Sequence, residues 1–434
     1  MRFSRPAPTL ARTYGLAVAT LLLPVAASAQ VRYVARFTLE KQSFLLGEPV
    51  FCTFSIHNFG TEPFAFSYRN PSRIVNPELE GEPMFIVVDS AGNRVPDPAP
   101  RPCGGAKGTA VYGSVSLPAG QVHTERWLIN EWARLRRPGK YRLRAERRLP
   151  LLGLDAAKEQ FTGAPVAYAV ATNDLAFEVM AAGANELQVA FEPYKRALER
   201  PGTAGFGEAL LAVTTLPQPF LLENLAALAS ASAQERQWDR ERVLVGLARL
   251  GTRAAWNAIL ETARGRKEAA AKSSQGAPAI RDDPARAYAI LLLAEKGDPG
   301  FLPSILALLE HAPENLRGEI IRSLGLFHNA RANQVLFEKL HSSVVSDRVN
   351  AILGLRNLES RDAIPALIAM LNDPEAQVRQ VANFALERLT GQSFRLSSSA
   401  QAAESAQVEK QWRAWWREEG ARFVPIRQPP CRDW

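Results

Sequence analysis

The side chains of this chain that could do chemistry are few, and their spacing excludes most of it. Five histidines occur: His57, His123, His311, His328 and His341. Two imidazoles four residues apart on a helix, or a Cys-x-x-Cys pair, would place ligands on one side of a metal ion. Neither pattern is present. The sequence therefore predicts no metal site and no cofactor, and it gives the histidines structural or surface roles. The segment Cys103-Gly104-Gly105-Ala106-Lys107-Gly108-Thr109 has the glycines of a phosphate-cradling loop. It lacks the Gly-x-x-x-x-Gly-Lys-Ser/Thr spacing that aims the lysine, so it reads as a flexible loop. No Gly-x-Ser-x-Gly elbow exposes a nucleophile. Adjacent carboxylates such as Glu418 with Glu419, or Asp282 with Asp283, sit at helix ends and do not face each other across a substrate. No catalytic residue is assigned, and a non-enzymatic protein is expected.

One cationic cluster carries a binding hypothesis. Arg134, Arg136, Arg137, Lys140, Arg142, Arg144, Arg147 and Arg148 surround a single strand pattern. Arg142 and Arg144 share the face opposite Tyr141 and Leu143, and such a stripe would attract an anionic polymer, glycan or acidic partner. Glu131 and Glu146 interrupt the field, which favours a solvated outer sheet face that also discourages edge-to-edge pairing. Three cysteines are present, Cys52, Cys103 and Cys431. In an oxidising compartment Cys52 and Cys103 are the expected pair. The alternative is a reduced core thiol, because Cys52 alternates with Val50, Phe54 and Ile56 on the inward face of a strand.

The elements that must position these residues divide at about residue 182. Residues 30–181 read as all-β. Arg36–Leu39 and Val50–Asn58 alternate with period two, and further strands are expected at Phe64–Tyr68, Met84–Asp89, Val122–Ile129, Lys140–Glu146 and Asp174–Met180. Long loops are expected from Pro96 to Gly113 and from Leu149 to Pro165. The Pro138-Gly139 turn leads into a strand with Tyr141 at its start, and Leu45-Leu46-Gly47-Glu48-Pro49-Val50 precedes Asn58. These patches resemble immunoglobulin-like sandwiches of exported bacterial proteins, which implies a fold and no particular function.

From residue 184 to 396 the period is helical. Ile290, Ile321 and Ile352 recur at a step of 31, as do Leu293, Leu324 and Leu355, and Leu309, Leu340 and Leu371. Self-similarity at such a period signals stacked units, none able to bury its apolar face alone. Asp373-Pro374 and Asp283-Pro284 look like helix starts, with aspartate as N-cap and proline at the first helical position. Gly265 to Asp283 is read as an inserted polar loop. The Val378-Arg379-Gln380-Val381-Ala382 helix and the Ala363–Ile368 helix resemble the HEAT-repeat family in its short, bilin-lyase-type bacterial form. The resemblance implies a scaffold; no lyase chemistry is transferred from it. Residues 397–434 comprise a linker, a helix and a tail. Val408, Trp412, Trp415 and Trp416 fall on one helical face and are expected to cover the open end of the stack.

Residues 1–29 read as a signal peptide. Arg2, Arg5 and Arg12 form a basic start, Leu16–Val25 is a short apolar run, and Ala27-Ser28-Ala29 is a cleavage site. Their removal lowers the formal charge from +8 to +5. The fold class predicted is thus multidomain, an all-β Ig-like sandwich followed by an all-α HEAT-type solenoid. The expected protein is periplasmic or secreted, with no integral membrane segment once mature and no nucleic-acid partner. The leading expectation is a protein-protein interaction scaffold that binds an envelope protein on a concave face lined by the second helix of each pair. Arg331, Gln334, Phe337 and Glu338 lie on one such helix. The alternative expectation is that the sandwich binds envelope glycan or anionic polymer through Arg142 and Arg144, with the solenoid as spacer.

Overall fold

A computed structural model describes residues 31–69, 81–98, 112–155, 160–230, 237–265, 283–296, 298–397 and 402–426. Residues 1–30, 99–111 and 266–282, on which the expectations of a signal peptide, a loop at Cys103 and an inserted polar loop fall, lie outside the described residues, as does Cys431. Among the described residues nine strands come first: β1 (Tyr33–Leu39), β2 (Ser43–Leu45), β3 (Phe51–Asn58), β4 (Phe64–Arg69), β5 (Met84–Asp89), β6 (Tyr112–Leu117), β7 (Val122–Leu128), β8 (Gly139–Asp155) and β9 (Gln160–Met180). One sheet has the order β1-β3-β7. The other has the order β2-β9-β8-β4-β6, with β5 also paired to β8. The two sheets enclose one apolar core. Val50, Cys52, Phe54 and Ile56 enter it from around β3, and Phe85, Leu143, Leu149 and Phe177 enter from the facing sheet. Phe37 meets Phe54 and Phe85 at ring-centroid distances of 5.2 and 5.7 Å.

The region from Leu149 to Pro165 departs from the sequence expectation. It is not a long loop. β8 and β9 stay paired from Gly139↔Val179 out to Asp155↔Gln160. Gly153 and Pro165 look like strand breakers in the sequence. The ladder absorbs them as register shifts around Leu152. The inward alternation of β8 continues through Leu143, Ala145, Arg147, Leu149 and Leu151, all buried. Arg147 therefore lies inside the sandwich and does not belong to the surface cations with which the sequence groups it.

β3 is buried on both sides. Cys52 faces the sandwich core, whereas its neighbour Phe51 points the opposite way, as a period of two requires. There Phe51 joins Leu128, Leu211, Ala212 and Tyr194 in a second cluster, which seats the first helices of the C-terminal half on the sandwich. Phe51 and Tyr194 stack at 6.2 Å, and the Arg126 guanidinium lies 4.6 Å from the Phe51 ring centre. Arg126 also pairs with Glu40 at 2.9 Å and with Glu208 of the helical half. The sandwich and the solenoid thus share a packed junction. The variant Phe51→Ala should lose about 3 kcal/mol from cavity formation. It should also split a single calorimetric unfolding transition into two. A retained single transition at the wild-type temperature would show that the junction contributes nothing.

Thirteen α-helices follow among the described residues: α1 (Ala184–Leu198), α2 (Ala204–Thr215), α3 (Leu222–Ala229), α4 (Gln237–Leu250), α5 (Arg253–Arg264), α6 (Pro284–Lys296), α7 (Leu302–Leu309), α8 (Glu314–Ser323), α9 (Ala330–Lys339), α10 (Val345–Asn357), α11 (Ala363–Ala369), α12 (Ala376–Thr390) and α13 (Ala402–Glu419). The first helices α2, α4, α6, α8, α10 and α12 stack on one another; among the second helices of the pairs, α3 packs on α5 and α11 on α13. The isoleucines and leucines spaced by 31 lie in one continuous core that ends at Val408 and Trp412 of α13. Trp412 is fully buried, and its Nε1 donates to Asn383 Oδ1 at 2.8 Å. That pairing resolves how a polar indole can close an apolar stack.

A polar ladder accompanies the apolar one. Arg286, Arg317, Arg348 and Arg379 recur at the same step of 31. Arg286 donates to the carbonyls of Ala263 and Arg264, the last residues of α5. Arg240 does the same for Ala229 at the end of α3. Arg379 donates to the Asp373 and Pro374 carbonyls, and Arg317 to the Asp347 carboxylate. The backbone carbonyls reached in this way lie in turns or at helix ends, where no intrahelical donor remains for them; the Asp347 carboxylate also accepts from Ser342 Oγ at 3.2 Å. Asp373 is therefore not the N-cap of α12, which begins after Glu375. Its buried carboxylate receives the Arg348 fork at 2.8 and 2.9 Å. Asp283 does cap α6, accepting from Ala285 N at 3.1 Å.

Candidate functional site

The second-helix layer presents the residues singled out on α9. Arg331, Gln334 and Glu338 are exposed, on successive turns of one face. Arg331 Nη1 donates to Gln334 Oε1, and Gln334 Nε2 donates to Glu338 Oε1, each at 2.8 Å. The start of the helix is fixed by Asn329, whose side chain accepts from Arg331 N. Phe337 is half-buried and packs on the solenoid core, so it supports this face from below and does not project from it.

On β8, Arg142 and Arg144 are both exposed and stand opposite Val88 and Ile86 of β5. Arg144 pairs with Glu146 and lies in the field of Asp174. The hydrogen bond that Arg144 donates to Glu146 holds the guanidinium pKa above its ordinary value. The charge of Arg144 is thus answered within the sheet.

Among the described residues, His123, Glu125 and Arg147 bring reactive types together inside the sandwich. His123 Nε2 is 3.2 Å from Glu125 Oε1, and Arg147 Nη1 donates to Glu125 Oε2 at 2.9 Å. Arg147 also donates to the Gly81 carbonyl at 2.7 Å and lies over the Phe54 ring. Burial pushes the Glu125 carboxyl up, but His123 and Arg147 outweigh it and hold the group below the usual range. These groups are spent on one another across the two sheets, which suits a structural tie. The sequence signal for it was the odd-numbered alternation of β8. Cys52 is a buried free thiol, and burial pushes its pKa up to about 12. Its expected partner Cys103 lies outside the described residues. Among the described residues, no group of three or more His, Cys, Asp or Glu side chains is placed to hold a metal ion.

Two surface depressions lie on opposite layers of the solenoid. One, of about 480 Å³, is formed by Glu314, Asn315, Gly318 and Glu319 of α8 with Ser346 and Asn350 of α10. Its open floor exists because Gly318 has no side chain beside Asn350. The other, of about 380 Å³, lies between α11 and α13 and is lined by Pro365, Ile368, Lys410, Arg413, Trp416 and Arg417. The first is acidic and the second basic. In the first, the Ser346 hydroxyl donates to Glu314 Oε1 at 2.8 Å, on an open surface; the second is lined by no serine, threonine, cysteine or histidine.

Residues 302–387 match the family model for HEAT repeats. No curated protein matches the chain. Among solved structures, a complex of two subunits of phycocyanin lyase from a Nostoc species is similar at 17% identity and a TM-score of 0.27, covering 52% of this chain and 83% of that one. An engineered protein is similar at 18% identity and a TM-score of 0.23, covering 45% and 95%. A β-glucosidase from Erythrobacter marinus is similar at 12% identity and a TM-score of 0.17, covering 35% of this chain and only 16% of the enzyme. No described helix is long and apolar enough to cross a membrane.

Proposed function

We propose that this protein is an exported, non-enzymatic scaffold of the bacterial cell envelope that binds a partner protein on the exposed face of its second helices. The observation that carries this reading is the side-chain ladder Arg331–Gln334–Glu338. Three exposed polar residues are already ordered by their mutual hydrogen bonds, on a helix anchored from beneath by Phe337. A preordered surface loses less side-chain freedom when a partner docks, and that is how a solenoid gains affinity without a deep pocket. The match of the stack to HEAT repeats supports the same reading. Cleavage after Ala29 and an Ig-like identity for the sandwich belong to the proposal. The latter is supported by Tyr141, whose hydroxyl donates to the Arg137 carbonyl at 2.8 Å and so closes the turn into β8. It is also supported by β2, which joins β9 in parallel.

The test is a triple variant, Arg331→Ala with Gln334→Ala and Glu338→Ala. Exposed side-chain pairs of this kind contribute only a few tenths of a kcal/mol each, so the melting temperature should stay within about 2 °C of wild type. Used as bait against envelope extract, the triple variant should lose at least about tenfold of a partner that the wild-type chain retains at high salt. Equal retention by the two baits would remove α9 from the interface. Retention only of polymer, abolished by salt, would transfer the function to the sandwich.

A further inference from the structure

The groove between α11 and α13 has a chemistry of its own. Its floor is apolar: Ile368 is buried and Pro365 is exposed along one wall. Trp416 forms the other wall. Its indole packs against Trp415 and Phe423, with centroids 6.1 and 6.2 Å away, and Arg361 approaches its ring to 5.6 Å. The rim is cationic. Lys410, Arg413 and Arg417 occupy successive turns of α13 on the groove side. Arg413 is paired with Glu409, whereas Lys410 and Arg417 have no carboxylate partner among the described residues.

We propose that this groove docks an extended acidic segment of a partner protein that carries one bulky apolar side chain; this deepens the scaffold reading and rests on it. The seven steps from Lys410 to Arg417 span about 10 Å of helix. An extended chain covers that distance with about three residues, at roughly 3.3 Å each. Cations spread along a line match successive carboxylates on a peptide better than they match a single phosphate. A depression of 380 Å³ has room for one large side chain and its flanking backbone. The amphipathic Trp416 suits the boundary between that apolar anchor and the charged rim.

The experiment uses the full chain and a fluorescein-labelled peptide of nine residues, with an Asp-Glu pair on each side of a central leucine. Anisotropy should report saturable binding that weakens as salt is raised. Lys410→Glu with Arg417→Glu should weaken it at least about tenfold without lowering the melting temperature, since both residues are exposed. Replacing the peptide leucine by alanine should weaken it separately, which distinguishes docking from charge attraction. No saturable binding, equal binding by the charge-reversed variant, or indifference to the leucine would each overturn the proposal. So would capture of anionic phospholipid vesicles in place of the peptide. The scaffold reading fails differently. It falls if the α9 triple variant retains every partner that the wild-type chain retains, whatever the peptide does.

Discussion

Replacing Gly325 with alanine will destabilise the solenoid by at least about 3 kcal/mol, the upper range for overpacking a well-filled core. A Cβ at Gly325 would stand 1.9 Å from the carbonyl oxygen of Gly354 and 2.8 Å from its carbonyl carbon. Both atoms are backbone, so no rotamer change relieves the clash, and the 3-10 helix that follows α8 (Leu324–Phe327) must move apart from α10. Gly354 is itself crowded by other neighbours: a Cβ there would meet Leu336 Cδ2 at 2.5 Å and the Ile321 carbonyl oxygen at 3.0 Å. Gly318→Ala should be milder. Its obstacle is Asn350 Nδ2 at 2.6 Å, the end of a side chain that can turn away. Gly207→Ala is the control. Gly207 is exposed within α2 and has nothing within 4 Å of the added carbon. Alanine there should stabilise the chain by up to about 1 kcal/mol, through helix propensity alone. Urea denaturation of the four proteins gives the order directly. A Gly325→Ala chain with the wild-type midpoint would mean that the two helices do not touch through their backbones.

Much of the helical half was legible because its core repeats. A step of 31 in isoleucine and leucine reports which faces are buried without any knowledge of which helices touch. The arginine ladder was equally legible, at the same step, but charged residues at helix starts are read by habit as solvent-facing. Only the neighbouring repeat supplies the carbonyls and carboxylates that bury them. The Gly325–Gly354 contact was not legible, since a close approach between elements on successive repeats leaves no periodic trace in either one. In the sandwich, the alternation around Cys52 gave its inward side correctly. Phe51 was missed because a strand buried on both faces looks half-buried until a second domain is placed against it. The extension of β8 and β9 was hidden by Pro150, Gly153, Gly163 and Pro165, which a paired ladder can absorb and a local reading cannot. For the candidate sites, helical periodicity was enough to put Arg331, Gln334 and Glu338 on one face. The groove beside Trp416 needed α11 and α13 side by side, which the sequence states only as two separate helices.

Breaking the Arg348–Asp373 pair will separate the worth of an ion pair from the penalty of an orphaned charge. Arg348 delivers Nε and Nη2 to the two carboxylate oxygens and Nη1 to the Ser342 carbonyl at 2.9 Å. Both residues are about 8% exposed. Asp373→Ala leaves a guanidinium buried with one acceptor in place of three, and should lose about 3 kcal/mol. Arg348→Met leaves a carboxylate still accepting from Glu375 N at 3.0 Å, and should lose a similar amount. The double variant should be less damaged than the sum of the two, because it buries neither charge alone and methionine fills the vacated volume. A recovery of about 1–3 kcal/mol in the double-mutant cycle would identify the pair as a device for register. In that case the fork fixes which turn of α10 meets the loop after α11, and apolar burial supplies the stability. Strict additivity would mean that the two groups act independently, Arg348 on Ser342 and Asp373 on the turn at Glu375. The distinction matters for the surfaces on α9 and α13, which lie on either side of this fork in the chain. A stack whose register is fixed at each step holds its outward residues at fixed spacing. Loosening one step should then weaken a partner that spans several repeats, while leaving a peptide bound within a single groove unaffected.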